Sequence, residues 1–529
     1  MAFYGRHKVH VLFWPWGYNQ FTTTTDIITC SITKSASSGQ TARLSLFPRP
    51  VPYRERSDGT IQRDYNAGYM DALGPNDWVF IWVDPGDSDV PEPLFLGFID
   101  RVAYSKETSD AGTEYAIDVS CTGFEKVFNN TLAITNPWLS ENINMANLIA
   151  LGPAGQSIDA EGLEGAPGVD LFTGLTPNVM GWLMRTFLNV QETPLAEDYN
   201  KQAEDLDALV RSLTSGDSSR SQLQTILGQF VLPRIGTPIW SFLKLRFQNV
   251  QERAYLDTEM FLSQTSIPLS RMIDNFSNQL LNELIYDVRR LSNPGTSDID
   301  NDLVQEVTGG YSISAMNEFV NQAGSTNVAL AGLVDDIAPH VIFRRRPLFT
   351  DELRNLDGPT LSEEDFASLD VGPSDADVRN LTLIDTPSLN ANSPARINSG
   401  FAGFDQYSAE CLYSIARHGV RMYQDTVMSW PAQYEAPHPS PDLVREWDLR
   451  LTRAGLDDAV NWNGHAELPR YVRGLFLGGK LEIQHRPHPG VTVNARRRVY
   501  YVDSLDYTYS AMGRFTTALG ITRGQVSEE

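Results

Sequence analysis

Hydrophobic and polar residues alternate most cleanly near the end of the chain, in RRRVYYVDSLDYTYSAMGRFTTALGITRG (496–524). On the first arm Val499, Tyr501, Leu505, Tyr507 and Tyr509 can share one face, with Val502, Ser504, Asp506 and Thr508 on the other. Ser510 to Arg514 contains Gly513 and reads as a turn; the return arm sets Phe515, Thr517, Leu519 and Ile521 on one face. A period of two on both sides of a glycine turn predicts an antiparallel hairpin with one buried face. Two such arms are marginal alone and need more strands to pack on.

The same pattern runs through residues 1–130. DIITCSITKS (26–35) and TARLSLFPR (41–49) flank the turn SASSGQ, and DWVFIWVD (77–84) follows. LFLGFIDRVAYSKE (94–107) and TEYAIDVSCTGFEKVF (113–128) complete the set. In the last, Tyr115, Ile117, Val119 and Cys121 alternate with Glu114, Ala116, Asp118 and Ser120. Short strands with turn signals every ~8–12 residues predict a sandwich or small barrel.

Near residue 140 the period changes to helical in NINMANLIAL (142–151). Beyond a Gly/Pro-rich connector (152–168), the spacing predicts helices over 178–191, 203–213 and 221–231. In the last, Leu223, Ile226, Leu227 and Phe230 form one apolar stripe. Met272, Ile273, Phe276 and Leu280 continue the helical spacing. NELIYDVRR (282–290), HVIFRRRPLF (340–349) and NLTLIDTP (380–387) read as strands. AECLYSIARHGVRMYQD (409–425) opens as a helix that Gly419 can stop, and 444–462 reads as helical. VRGLFLGG (472–479) and KLEIQH (480–485) precede a Pro/His loop and the closing hairpin, and QVSEE is expected to fray.

At 529 residues, two to four domains are expected. No apolar run reaches the ~18 residues of a membrane helix, so no stable membrane insertion is expected. The first residues lack a continuous apolar segment and a small-residue cleavage site, which argues against a secretory signal. Cys30, Cys121 and Cys411 are widely spaced and without CxxC pairs; buried reduced thiols are expected rather than disulfides or zinc. A formal net charge of −24 disfavours sequence-independent nucleic-acid binding, which needs clustered Lys and Arg. It permits an acidic wall past which DNA slides, with solubility as the plain alternative.

No GxSxG elbow, HExxH, Walker A or strand-linked GxGxxG is present. Asp298, Asp300, Asp302 and Glu306 resemble a calcium loop, but Leu303 stands where glycine is required and Glu306 comes too early. His485 and His488, or His438, could ligate a metal; exposed loop histidines are the plainer reading. No catalytic, cofactor or metal residues are therefore assigned. Trp14, Trp16, Trp78 and Trp82 could stack on sugars, but core and subunit interface are the expected roles.

The closing pattern, GLFLGGKLEIQHRPHPGVTVNARRRVYYVDSLDYTYSAMGRFTTALGITRG, resembles the C-terminal part of tail baseplate hub proteins. That family belongs to contractile-tailed phages and related injection machines and includes the trimeric base of type VI secretion spikes. NELIYDVRR followed by HVIFRRRPLF, and FLGFIDRVAYS…TEYAIDVSCTGFEKVF, resemble its second and first barrels. The helical stretch is not covered.

The resemblance implies a mainly β fold with α insertions (α+β), two small antiparallel β-barrels per chain, and a ring-forming homotrimer without enzymatic activity. Residues 1–135 would be the first, tube-docking barrel, and 136–260 a mainly helical insertion. Residues 261–387 would feed a second barrel and 388–465 would be helical and linker, with 466–525 completing that barrel. Partners implied are the tail tube or tube-initiator protein and the central spike, then the tape-measure and baseplate wedge proteins. The location would be the virion tail, assembled in the host bacterial cytoplasm, with an acidic channel for genome passage. Arg344–Arg345–Arg346 and Arg496–Arg497–Arg498 lie at strand ends and are candidates for ion pairs between subunits, with solvated strand ends the alternative. A multidomain carbohydrate-active tail enzyme, with two carboxylates ~5–10 Å apart in a cleft, is the competing reading.

Overall fold

A computed structural model describes residues 7–15, 21–36, 38–55, 60–85, 91–109, 112–130, 132–134, 171–175, 244–248, 252–257, 266–277, 282–290, 337–375, 378–386, 397–398, 409–426, 429–431, 449–456, 462–486, 497–511 and 514–527. The N-terminal alternation becomes β1 (Lys8–Trp14), β2 (Phe21–Thr23), β3 (Ile27–Ser35), β4 (Gly39–Leu46), β5 (Pro50–Glu55) and β6 (Ile61–Gly68). A one-turn helix, α1 (Tyr69–Ala72), leads to β7 (Trp78–Asp84), β8 (Glu92–Ser109), β9 (Gly112–Gly123) and α2 (Lys126–Asn130). The end of FEKVF is thus helical rather than extended. Strand β1, embedded in the unassigned first residues, was not predicted.

The C-terminal half supplies α3 (Leu269–Ser277), β10 (Asn282–Arg290), β11 (Ile337–Arg345), α4 (Thr350–Arg354), β12 (Thr360–Ser362) and β13 (Ser368–Pro373). It ends with β14 (Trp462–Leu468), β15 (Lys480–Gln484), β16 (Arg497–Ser510) and β17 (Phe515–Val526). The predicted helix at Ala409–His418 is present, and Gly419, at φ +74°, closes it with a bond from its N–H to the Ile415 carbonyl at 2.8 Å. Leu381–Thr386 is a strand as expected, but it pairs with Met422–Thr426 in a separate small sheet. Between 136 and 260 the described residues are strands: Leu171–Leu175, Lys244–Gln248 and Glu252–Asp257. The helices predicted over 142–151, 178–191, 203–213 and 221–231 lie outside the described residues.

The hairpin β16–β17 joins the two ends of the chain. Strand β16 pairs with β17 along one edge. Its other edge is shared, Arg497–Tyr501 pairing with β15 and Ser504–Ser510 with β3. The result is a single sheet of 13 strands, with β13–β14–β17–β16–β3–β4–β9–β8–β7–β1–β2 as its main path and β15 and β12 branching from β16. No closed barrel is formed by the described strands, so the two separate barrels expected from the sequence are not seen. The physical reason is the length of β16: its 14 residues outrun any one neighbour, and the surplus edge continues the ladder into the N-terminal half.

One face assignment changes. The register shifts between Val502 and Ser504, where Asp503 is an extra residue, and a bulge of this kind reverses the phase of alternation. Leu505, Tyr507 and Tyr509 therefore enter the main core with Tyr500 and Val502. Val499 and Tyr501 face the opposite layer, against Leu353 and Leu356 beside α4. The return arm keeps its predicted face: Phe515, Thr517, Leu519 and Ile521 are all buried. The expected fraying starts later than predicted, because Gln525 is buried and bonded to Thr350 and to the Leu348 carbonyl.

Leu505 sits where β16 leaves β15 for β3 and is 1% exposed. Leu505→Ala should lower stability by ~2–5 kcal/mol through lost burial and a cavity, while Thr508→Ala, on the exposed face, should change it by under ~0.5 kcal/mol. Urea unfolding followed by tryptophan fluorescence measures both.

Candidate functional site

Strand β10 crosses the seam between the two halves and carries charges inward. Asp287 accepts from Lys34 Nζ of β3 at 2.7 Å and from Arg289 Nε at 2.9 Å. Arg289 also donates to the Leu477 carbonyl at 2.6 Å and stacks 5.0 Å over Phe476. Burial alone would raise the Asp287 carboxyl, but Lys34 and Arg289 override it and hold it below the usual range, so it is ionised. Four residues towards the other end, Glu283 accepts from Arg344 Nε at 2.5 Å and from the Tyr501 hydroxyl at 2.6 Å. At the outer end, Glu92 accepts from Arg290 at 3.2 Å and Arg473 at 2.7 Å. A buried ion pair adds little net stability, but breaking one leaves an uncompensated charge. This ladder thus fixes the register of β10 more than it adds affinity.

Beside it lies a second polar group. Glu125, at the start of α2, is buried and accepts from the Gln40 backbone N–H at 2.5 Å through Oε1, while Oε2 has no hydrogen-bond partner. Gln40 also donates to the Tyr286 carbonyl at 2.7 Å, linking β4 to β10. The Glu125 carboxyl occupies the space a Cβ would fill at Gly39 and at Gly123, and Gly39 has φ +76°. Burial pushes the Glu125 pKa up to about 7 against the pull of the Gln40 N–H. Glu125, Asp274, Glu283 and Asp503, with Arg346 and Arg523, line a cavity of about 210 Å³.

A third node holds the β5–β6 hairpin. Asp26, fully buried, accepts from Arg63 at 2.7 and 2.8 Å and from the Tyr69 hydroxyl at 2.7 Å. Burial opposes its ionisation, but the Arg63 and Tyr69 hydrogen bonds hold the carboxyl below its ordinary range.

Of the residues considered from sequence, Arg344 and Arg498 prove internal. Arg344 is 2% exposed and pairs with Glu283 of its own chain. Arg498 stacks 4.0 Å over Trp462 and donates to the Gly524 carbonyl at 3.2 Å. Neither is a solvated strand end or available for a pair between subunits; Arg496 lies outside the described residues. His485 is buried against Trp462 and Tyr500, with Nε2 3.3 Å from the Tyr500 hydroxyl, and burial lowers its pKa. It is a neutral core histidine; His438 and His488, like the Asp298–Glu306 segment, lie outside the described residues. Cys30 and Cys121 are free and buried, and burial pushes Cys30 up to about 12. Trp82 is 5% exposed and stacked on His10, and Trp78, half-buried, packs on Phe98 with ring centroids at 3.8 Å. Among the described residues no group of three His, Cys, Asp or Glu is placed to hold a metal, and no helix is long and apolar enough to cross a membrane.

The outer surface is organised by an arm. β7 pairs with β8 only between Glu92 and Phe98, and β4 pairs with β9 only between Ile117 and Thr122. From Arg101 to Ser109 and from Gly112 to Ala116 the hairpin therefore runs past both neighbours. Tyr104 and Tyr115 stack on it at 5.9 Å, 55% and 44% exposed.

The missed residues were Lys34, Glu92, Glu125, Glu283, Asp287 and Arg289. One signal was available: Lys34 continues the inward series Cys30, Ile32, which demands a buried counter-charge.

Solved structures similar to the chain include three tail or secretion-system proteins. A 43 kDa tail protein of prophage MuSo2 from Shewanella oneidensis matches at 8% identity and TM-score 0.41, covering 97% of this chain and 98% of that one. A tail protein from Neisseria meningitidis MC58 matches at 8% identity and TM-score 0.40, over 98% and 97%. An Escherichia coli component of the type VI secretion system, itself similar to bacteriophage T4 tail proteins, matches at 6% and 0.34, over 95% and 74%. These structural neighbours are tail and secretion-system proteins, the group that the sequence patterns resemble. With TM-scores this low, the likeness fixes neither fold nor function. No protein-family model and no curated protein matches the chain.

Two outcomes follow from the buried charges. Asp287→Ala removes the buried carboxylate that Lys34 and Arg289 share and should cost ~3–5 kcal/mol in urea unfolding. Glu125 has a folded pKa of about 7, above the unfolded 4.5, so the folded state binds the proton more tightly. Its contribution is full below pH 4.5 and is lost as pH rises through 7. Glu125→Gln should therefore raise the melting temperature relative to wild type more at pH 8 than at pH 5.5.

Proposed function

We propose that the chain is a structural baseplate hub of a contractile phage tail. It acts as a homotrimer, adapts the hexameric tube to the trimeric spike, and lines the channel through which the genome leaves. The observation that carries this reading is that three separated hub-like patterns pack together, two in the 13-stranded sheet and one in a separate three-stranded sheet that docks on it. β8–β9, β10–β11 and β16–β17 hold those patterns, and β16 pairs with β3 while Asp287 bonds Lys34. The N-terminal and C-terminal halves of the sheet serve as the two docking modules, so that three chains offer six sites. The β8–β9 arm, with Tyr104 and Tyr115, is the contact to a neighbouring chain.

The partners are the tube or tube-initiator protein and the spike, with tape-measure and wedge proteins around them. The role is non-enzymatic and the place is the virion tail. A net charge of −24 per chain keeps phosphates from adhering to the channel wall.

Light scattering of the purified chain over a dilution series tests the reading. A mass of three times 59.0 kDa that survives dilution is expected, since an obligate interface buries above ~2,000 Å². A monomer at every concentration, alone and mixed with the spike, would sink it. Tyr104→Ser/Tyr115→Ser should leave the fold intact and weaken the trimer.

A further inference from the structure

The cavity of about 210 Å³ beside β10 has two arginines in its wall, Arg346 just after β11 and Arg523 on β17. Arg523 stacks 4.2 Å over the Tyr501 ring and donates to the Pro347 carbonyl at 2.5 Å. Arg346 Nε is buried and has no hydrogen-bond partner. Among the described residues neither guanidinium forms an ion pair with a carboxylate. Glu283, which lines the same space, has one oxygen on Arg344 and the other on the Tyr501 hydroxyl. Asp503, exposed, attracts Arg523 without pairing with it. Burial lowers the Arg523 pKa; Tyr501 pulls the other way, and the Arg346 charge lowers it again. The two like charges therefore stand close enough to repel. Arg523 also has φ +56°, a left-handed backbone that an arginine adopts at a cost. Its N–H is held by Asn463 Oδ1 at 2.9 Å. A strained residue that sets a second unshared guanidinium against one space fits an anion placed between the two.

Elsewhere the lining is acidic. The Glu125 side chain is more than nine-tenths buried, and its Oε2 lacks a hydrogen-bond partner. Asp274 of α3 lines the cavity too, and the Asp274 and Glu125 charges both bear on the Tyr286 hydroxyl. A dianion such as phosphate would be repelled by these carboxylates. A monoanion that carries its own cation meets opposite charge at both ends. The volume lies below the ~300–1,000 Å³ of ordinary ligand sites, which suits a short molecule.

We propose that this cavity binds a small aminocarboxylic acid, its carboxylate shared by Arg346 and Arg523 and its ammonium on Glu125 Oε2. The site goes beyond the tail reading and does not depend on it.

Isothermal titration calorimetry on the full chain at pH 8 and constant ionic strength tests it. The probes are glycine, β-alanine, 4-aminobutyrate and 5-aminopentanoate, with butyrate and butylamine as single-charge controls. Saturable binding near one per chain is expected for at least one aminocarboxylate, whose length reads the span between the two ends. Butyrate and butylamine should each bind at least ~10-fold more weakly, the loss of one charge-assisted contact. Arg346→Gln and Glu125→Gln should each weaken the best probe by a similar factor, and Arg43→Gln, on the exposed face of β4, should leave it unchanged. Heats that do not saturate for any aminocarboxylate would overturn the proposal, leaving the cavity to water. So would butyrate binding as tightly as the best probe, or equal binding by wild type and Arg346→Gln. Thermal melts without ligand confirm that each variant is folded.

Discussion

The backbone of β16 sets the constraint on which the rest depends. Every buried N–H and carbonyl of a strand needs a partner, and a strand of 14 residues has more edge than one short neighbour can serve. β15 covers its first residues and β3 covers the rest. The bulge at Asp503 stands at the changeover. It lets one strand present Tyr500 and Val502, then Leu505, Tyr507 and Tyr509, to the same core. Without that phase change, one of the two halves would lose its apolar face.

Backbone pairing alone does not specify register where apolar side chains are similar in size. The buried charges of β10 do. Asp287 must meet Lys34 and Arg289, and Glu283 must meet Arg344 and Tyr501. A slip of one residue would bury each of these alone, a cost of several kcal/mol apiece. The seam is thus polar where a simple sandwich would be greasy. It leaves two cavities of opposite character beside β10, one rich in carboxylates around Glu125 and one rich in cations around Arg473.

The core is committed to joining the two ends of the chain, and what faces outward is edge and arm. The stacked Tyr104–Tyr115 pair and the β5–β6 hairpin, with Tyr65 84% exposed, are carried on ladders anchored from inside. The Asp26–Arg63–Tyr69 cluster does that anchoring for the hairpin.

Sequence by itself determined the strands β3 and β9 and, where alternation was unbroken, the buried faces of β17 and the second half of β16. It also placed the Gly419 helix stop. These are local properties, set by a period of two or by one residue's access to positive φ. It could not show that the alternation of β16 inverts at Asp503, because a bulge needs a partner strand to define it. Nor could it pair Lys34 with Asp287 or Glu283 with Arg344, separated by 253 and 61 residues. A charged residue announces that it needs a partner, not which one. That choice, with the joining of both ends of the chain in one sheet, was made by tertiary structure, since only there do distant strands compete for the same edge.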